Sequence, residues 1–153
     1  MKLSFAERRD ALAVLVLRLG LFWFLFLWAI HKLLATSQYQ QLARHFDGVE
    51  LSAFSVQAGG VAQLAILFLV LIGIFRPFTY SAMAVMHAFT ISRQWDRYID
   101  PFAINDRGFP VNRNVSESVA VMGAFIVLVM LIPRDHFSVG GWLKRKRYPS
   151  WWL

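Results

Sequence analysis

Apolar residues in this chain gather into long runs separated by short polar stretches. Runs of that length point to helices hydrophobic around most of their circumference rather than to half-buried strands. The longest run, ALAVLVLRLGLFWFLFLWAIHKLL, extends from Ala11 to Leu34. Between Ala11 and Ile30 it holds thirteen Leu, Val, Ile or Phe residues, two Trp and a single charge, Arg18. Twenty residues of helix rise about 30 Å, the thickness of a bilayer's hydrocarbon core. At about −0.3 to −0.6 kcal/mol each, thirteen apolar residues outweigh the roughly +2.5 to +3.5 kcal/mol of one central Arg. A membrane span over 11–34 is therefore predicted, with an arginine inside it. Ser4 to Asp10 reads as a short interfacial helix before it. The span reads as uncleaved, because the run is too long for a signal peptide and no small-residue cleavage site follows it.

Ser37 as N-cap and Gly48 as stop predict a short amphipathic helix from Gln38 to Asp47. A second span, 54–75, carries Gln57, Gln63 and the small residues Ala58, Gly59, Gly60 and Ala62, which let neighbouring helices approach closely. Arg76-Pro77 is expected to end it in a tight hairpin, since the residue before proline is pushed out of the α region. The third span, 78–99, is weakly apolar: Phe78, Val85, Phe89, Ile91 and Ile99 stand against His87, Arg93, Gln94, Asp96 and Arg97. It needs partners to insert, with its polar side turned toward them. Tyr80, Met83, His87, Thr90 and Gln94 lie three and four apart and form that side. After a polar loop from Asp100 to Asn114, a fourth span over 115–132 is capped by Asn114 or Ser116 and ended by Pro133. Residues 134–153 read as an interfacial tail.

The pattern thus predicts an all-α integral membrane four-helix bundle forming a single domain over 1–153. Composition agrees: 58% of residues are hydrophobic and 16% charged, against roughly 45–50% and 25% in soluble chains. The net charge of +7 does not point to nucleic acid. Lys144 to Arg147 lies between Trp142 and the aromatics Tyr148, Trp151 and Trp152, a mixture suited to lipid headgroups. No strand interleaves bases and aromatics as a single-strand binding face would. With four spans, one side holds Lys2, Arg8, Arg9, Arg76, Arg134, Lys144, Arg145, Lys146 and Arg147, nine residues. The other holds Lys32, Arg44, Arg93, Arg97, Arg107 and Arg113, six residues, so both termini are expected on the cytoplasmic side. The absence of cysteine excludes disulfides, thiolate chemistry and a CxxC site made by this chain alone.

Ionisable and amide side chains inside a membrane are the default functional candidates. Gln63 and His87 each lie about nine residues into their spans, near the midplane at about 1.5 Å per residue. Arg18 falls somewhat to the cytoplasmic side of centre. With Tyr80 and Glu117 they form the expected ligand-binding site or buried polar network. An outer polar cluster is expected from His31, Gln57, Arg93 and Asp96. Each has a packing alternative: Arg18 snorkelling to headgroups or bonding to a neighbouring carbonyl, His87 bonding across helices with Gln63, Glu117 favouring the positive end of a helix dipole, and Arg93, Asp96 and Arg97 forming a surface ion-pair network. Met83, Met86 and His87 have the softness of copper ligands but suit core packing better, and no metal site is expected.

Three passages carry a family resemblance: LVLRLGLFWFLFLWAIHKL, GGVAQLAILFLVLIGIFRP and NVSESVAVMGAFIVLVMLIPRDHFSV. In that order, with the Arg and Gly of the first, the glycine-rich start of the second and the Asn and Glu opening the third, the chain resembles the DoxX family. These are small bacterial inner-membrane proteins related in fold to DoxD, a membrane subunit of thiosulfate:quinone oxidoreductase. Gln63 stands where many relatives carry Glu, and PRDHFSV replaces the family's glycine-rich ending. The resemblance implies a multi-pass protein of the bacterial cytoplasmic membrane with a quinone-associated redox role and quinone as its cofactor. Two main readings follow. The chain is a quinone-linked redox component working with membrane or periplasmic partner subunits, or a non-catalytic accessory subunit or homo-oligomer whose polar residues fix packing. A small transporter or metal-handling protein is a weaker third, since no Gly/Pro-broken segment interrupts the spans.

Overall fold

A computed structural model describes residues 3–106, 108–112 and 115–146, apart from the side chains of 47, 115 and 116. Helix α1 runs unbroken over Phe5–Leu34. Ser4 caps it, accepting from the Glu7 backbone N–H while the Glu7 carboxylate accepts from that of Ser4. No glycine or proline interrupts residues 5–19, so the separate interfacial helix expected over Ser4 to Asp10 is instead the first turns of α1. Helix α2, Thr36–Asp47, starts just ahead of the expected Ser37 cap, where the Thr36 hydroxyl donates to the Lys32 carbonyl (2.8 Å). It stops as expected at Gly48, which is left-handed.

Helix α3 spans Ala53–Ile72 and ends on Gly73, whose φ of +68° lets its N–H reach the Leu69 and Val70 carbonyls. Arg76-Pro77 was expected to stop this helix. The stop is Gly73, three residues earlier, and Pro77 sits in the first turn of α4, Arg76–Arg93. Proline suits that position because the first N–H groups of a helix have no intrahelical partner. The span expected over 78–99 breaks at Gln94, and Trp95–Ile99 forms a separate short helix, α5. Helix α6, Val115–Met130, gives way to a 3₁₀ turn over Ile132–Arg134 and then to α7, Val139–Arg145. The expected Asn114 cap and the Ser116 side chain lie outside the described residues. There is no strand among the described residues, only an isolated bridge between Ile104 and Pro110.

Two helices, Phe5–Leu34 and Ala53–Ile72, are long and apolar enough to cross a membrane. Helices α1 and α4 each pack on α3 and α6, so the four close into a ring. The buried positions of α1 are Ala11, Val14, Arg18, Leu21, Leu25 and Ala29, a stripe at spacings of three and four. They meet Leu67 and Val70 from α3, Tyr80 and Met83 from α4, and Phe125 and Leu128 from α6. Outside this core the helices stay apolar: Val16, Trp23, Leu27, Phe68 and Val85 are all exposed. Of the small-residue patch, Gly60 is the member that sets the α1–α3 approach. A Cβ there would lie 2.9 Å from Leu33 Cδ2 and 3.2 Å from the Ala29 carbonyl oxygen.

Part of the expected interfacial tail folds into the end of the bundle, while Lys144, Arg145 and Lys146 stay exposed. Asp135 and Ser138 are buried, as are Gly140 and Gly141. The Gly140 N–H donates to the Gly73 carbonyl (2.9 Å), so the C-terminal segment lies across the end of α3. Residues 147–153 are outside the described part. A Cβ at Gly73 would collide with Ser138 Cβ and Arg18 Nη1, besides the roughly 1–2 kcal/mol cost of a left-handed non-glycine residue. Gly73→Ala is therefore expected to lower thermal stability in detergent clearly. Gly123→Ala, where nothing lies within 4 Å, should be neutral or stabilise by about 0.5–1 kcal/mol through helix propensity. Melting curves of the two variants beside the parent check both.

Candidate functional site

At one end of the ring α3 stops, α4 starts and α6 passes into its 3₁₀ turn. Helix α1 runs beyond this level, with Arg18 opposite the three ends. The Arg18 Nη1 donates to both Asp135 carboxylate oxygens, at 2.9 and 3.2 Å, and to the Tyr80 hydroxyl at 3.2 Å. Its Nη2 donates to the Phe137 carbonyl at 2.8 Å. The Tyr80 hydroxyl in turn donates to Asp135 Oδ2 at 2.6 Å. The Arg18 and Asp135 side chains are 3% and 0% exposed.

Arg76, also buried, bonds to the chain that carries the carboxylate rather than to the carboxylate. Its Nη1 donates to the backbone carbonyls of Asp135 (2.8 Å) and Ile132 (3.2 Å). The Ser138 hydroxyl donates to the same Asp135 carbonyl at 2.8 Å and accepts from the Gly141 N–H at 3.0 Å, capping α7. Taking two charges from water costs several kcal/mol per ion, and only close geometry with further hydrogen bonds offsets it. Here the carboxylate takes donors from α1 and α4, and both guanidiniums reach backbone carbonyls after α6. One donor is left over: Arg18 Nε is buried without a partner. Arg18 also walls an open groove of about 540 Å³, together with Ile72, His136, Phe137, Trp142 and Arg145.

Gln63 and His87 are buried too, but elsewhere. Gln63 Nε2 donates to the Leu25 carbonyl (3.2 Å), and its Oε1 accepts from Lys32 Nζ (2.7 Å). His87 Nε2 lies 3.0 Å from the Ser118 carbonyl, with its ring edge-on to Phe24 and tilted against Phe125. The single pocket expected to join Arg18, Gln63 and His87 is therefore three separate contacts. Equal depth did not bring Gln63 and His87 together, because they meet different partners on different helices.

Tyr80, Met83 and His87 form the buried part of the α4 stripe, whereas Thr90 is exposed. Glu117 is exposed in the first turn of α6, where a negative charge suits the helix dipole, and takes no place in the buried network. The expected outer cluster is also divided. His31 meets the Tyr39 ring edge-on, and Gln57 donates to the Thr36 hydroxyl at 3.4 Å, both against α2. Arg93 and Asp96 lie exposed at the α4–α5 break. Arg97 instead sits 3.8 Å from the centre of the Phe46 ring, joining α5 to α2. Among the described residues no group of three His, Asp or Glu is placed to hold a metal. Met83 is in the core, with Met86 packed against it.

Asp135, with Arg76 and Ser138 that hold its backbone, was missed from the sequence. An acid just past a helix-ending Ile-Pro reads as solvated, and the one available cue was that a buried Arg18 needs a counter-charge. Asp135→Asn would leave Arg18 buried and unpaired, and is expected to cost about 3–5 kcal/mol. Removing both charges in Arg18→Leu with Asp135→Leu should cost less than the sum of the single changes by about 1–3 kcal/mol. A double-mutant cycle on thermal or denaturant unfolding measures this.

No family model, curated protein or solved structure matches this chain.

Proposed function

We propose that the chain is a four-span, DoxX-like protein of the bacterial cytoplasmic membrane, acting as the structural membrane subunit of a quinone-linked redox assembly. The membrane reading draws on two helices of spanning length and on the closed ring into which α4 and α6 complete them. It also draws on outer faces that stay apolar while charged side chains turn inward or to the ends. The lysine and arginine count sets both termini on the cytoplasmic side. The resemblance in three ordered passages supports the quinone-linked setting.

One observation carries the structural role. The candidate donors are already engaged: Arg18 with Asp135, Gln63 with the α1 backbone, His87 with the α6 backbone. Interhelical hydrogen bonds of this kind fasten a membrane bundle at about 0.6 kcal/mol each. In this account the electron chemistry belongs to partner subunits, and this chain supplies helices and surface. A second reading, quinone binding by the chain itself, is favoured by the open groove that Phe137 and Trp142 line beside Arg18.

Because the chain has no cysteine, single cysteines report sidedness directly. In intact spheroplasts a membrane-impermeant maleimide should label Ser37→Cys and Asp106→Cys, and label Ser4→Cys and Lys144→Cys only after lysis. The reverse pattern would overturn the orientation. Gln63→Leu and His87→Phe should lower the yield of the assembly isolated from native membranes. Quinone reduction per assembled complex should stay within about twofold, since a loss of about tenfold corresponds to 1.4 kcal/mol of transition-state stabilisation. A tenfold loss per complex would give those residues a part in the chemistry.

A further inference from the structure

The groove beside Arg18 joins two chemistries that rarely share a wall. Its floor is apolar, from Ile72, Phe137 and Trp142, and its charged lining is basic, Arg18 and Arg145, beside His136 and Ser138. Among the described residues no carboxylate lines it, and Asp135 is fully buried. Just past α7, the Lys146 ammonium sits 4.1 Å from the centre of the half-exposed Trp142 ring that lines the groove. The Arg145 Nη1 is fixed by the His136 carbonyl at 2.7 Å, so the guanidinium is held at the mouth of the groove with further N–H groups to give.

We propose that this groove binds an anionic phospholipid, its phosphate at Arg145 and Lys146 and its acyl chains along Ile72, Phe137 and Trp142. The charge of the lining points to an oxyanion: Arg18, Arg145 and the neighbouring Lys146 are of one sign, and basic residues beside an anionic leaflet attract its headgroups. The apolar floor selects lipid over a free anion, since inorganic phosphate gains nothing from Phe137 or Trp142. The site requires only that this end of the bundle meet headgroups, whichever assembly the chain joins.

The test uses the full chain purified in a non-ionic detergent and its melting temperature with four additives: phosphatidylglycerol, phosphatidylcholine, inorganic phosphate and ubiquinone. Phosphatidylglycerol at saturating amounts is expected to raise it by about 4 °C or more, the others by little. The shift, taken within each variant so that intrinsic stability cancels, should fall at least by half in Arg145→Gln and in Lys146→Gln. Native mass spectrometry of the parent protein should retain phosphatidylglycerol in preference to phosphatidylcholine. An equal shift with phosphatidylcholine, or an undiminished shift in Arg145→Gln, would overturn the site. So would the full shift with phosphate alone, or a shift with ubiquinone and none with the lipid.

Discussion

A charged pair withdrawn from water has to be completed on every side, and the end of this bundle is arranged to complete one. Arg18 and Asp135 are separated by 117 residues, yet each is almost wholly buried against the other. Tyr80 closes one carboxylate oxygen, and Phe137 takes the second guanidinium nitrogen. Arg76 and Ser138 hold the backbone that carries the acid. Breaking any one of these leaves a polar group in a place water does not reach, which is why they act as a set.

The set also explains features that look unrelated along the chain. Gly73 is needed twice, for its left-handed backbone and for the space that Arg18 and Ser138 occupy. Gly140 and Gly141 allow the C-terminal segment to lie against Gly73, Arg76 and the Asp135 carbonyl without side chains between them. The 30-residue α1 extends past the other helices, and Asp10 near its start pairs with Arg134 beside the clasp. Four long helices of mostly apolar surface are thereby joined at one end by ionic and backbone bonds, and elsewhere by packing with a few amide and imidazole contacts.

The four long helices were legible in the sequence because each is an uninterrupted apolar run or a periodic stripe of buried positions. Gly48 was legible as a stop, and Gly60 as a place of close approach. What escaped was whatever depends on rotation and long-range pairing. Depth along a helix put Gln63 and His87 at one level but could not say that one faces Leu25 and the other Ser118. Pro77 was read as a stop, although a proline serves equally at a helix start. Asp135 sits in a segment whose local pattern is that of a solvated tail, and only its distant partner makes it part of the interior.

The central claim is that the C-terminal segment folds back onto α1 and is held there by Asp135 on Arg18. Its most direct test is proximity in native membranes, with cysteines at the two ends of the surface contact beside the clasp, Asp10→Cys with Arg134→Cys. A short bifunctional maleimide should join them within one chain, and the yield should collapse when Asp135→Leu is added. Failure to cross-link in the otherwise unaltered chain, or cross-linking untouched by Asp135→Leu, would contradict the account.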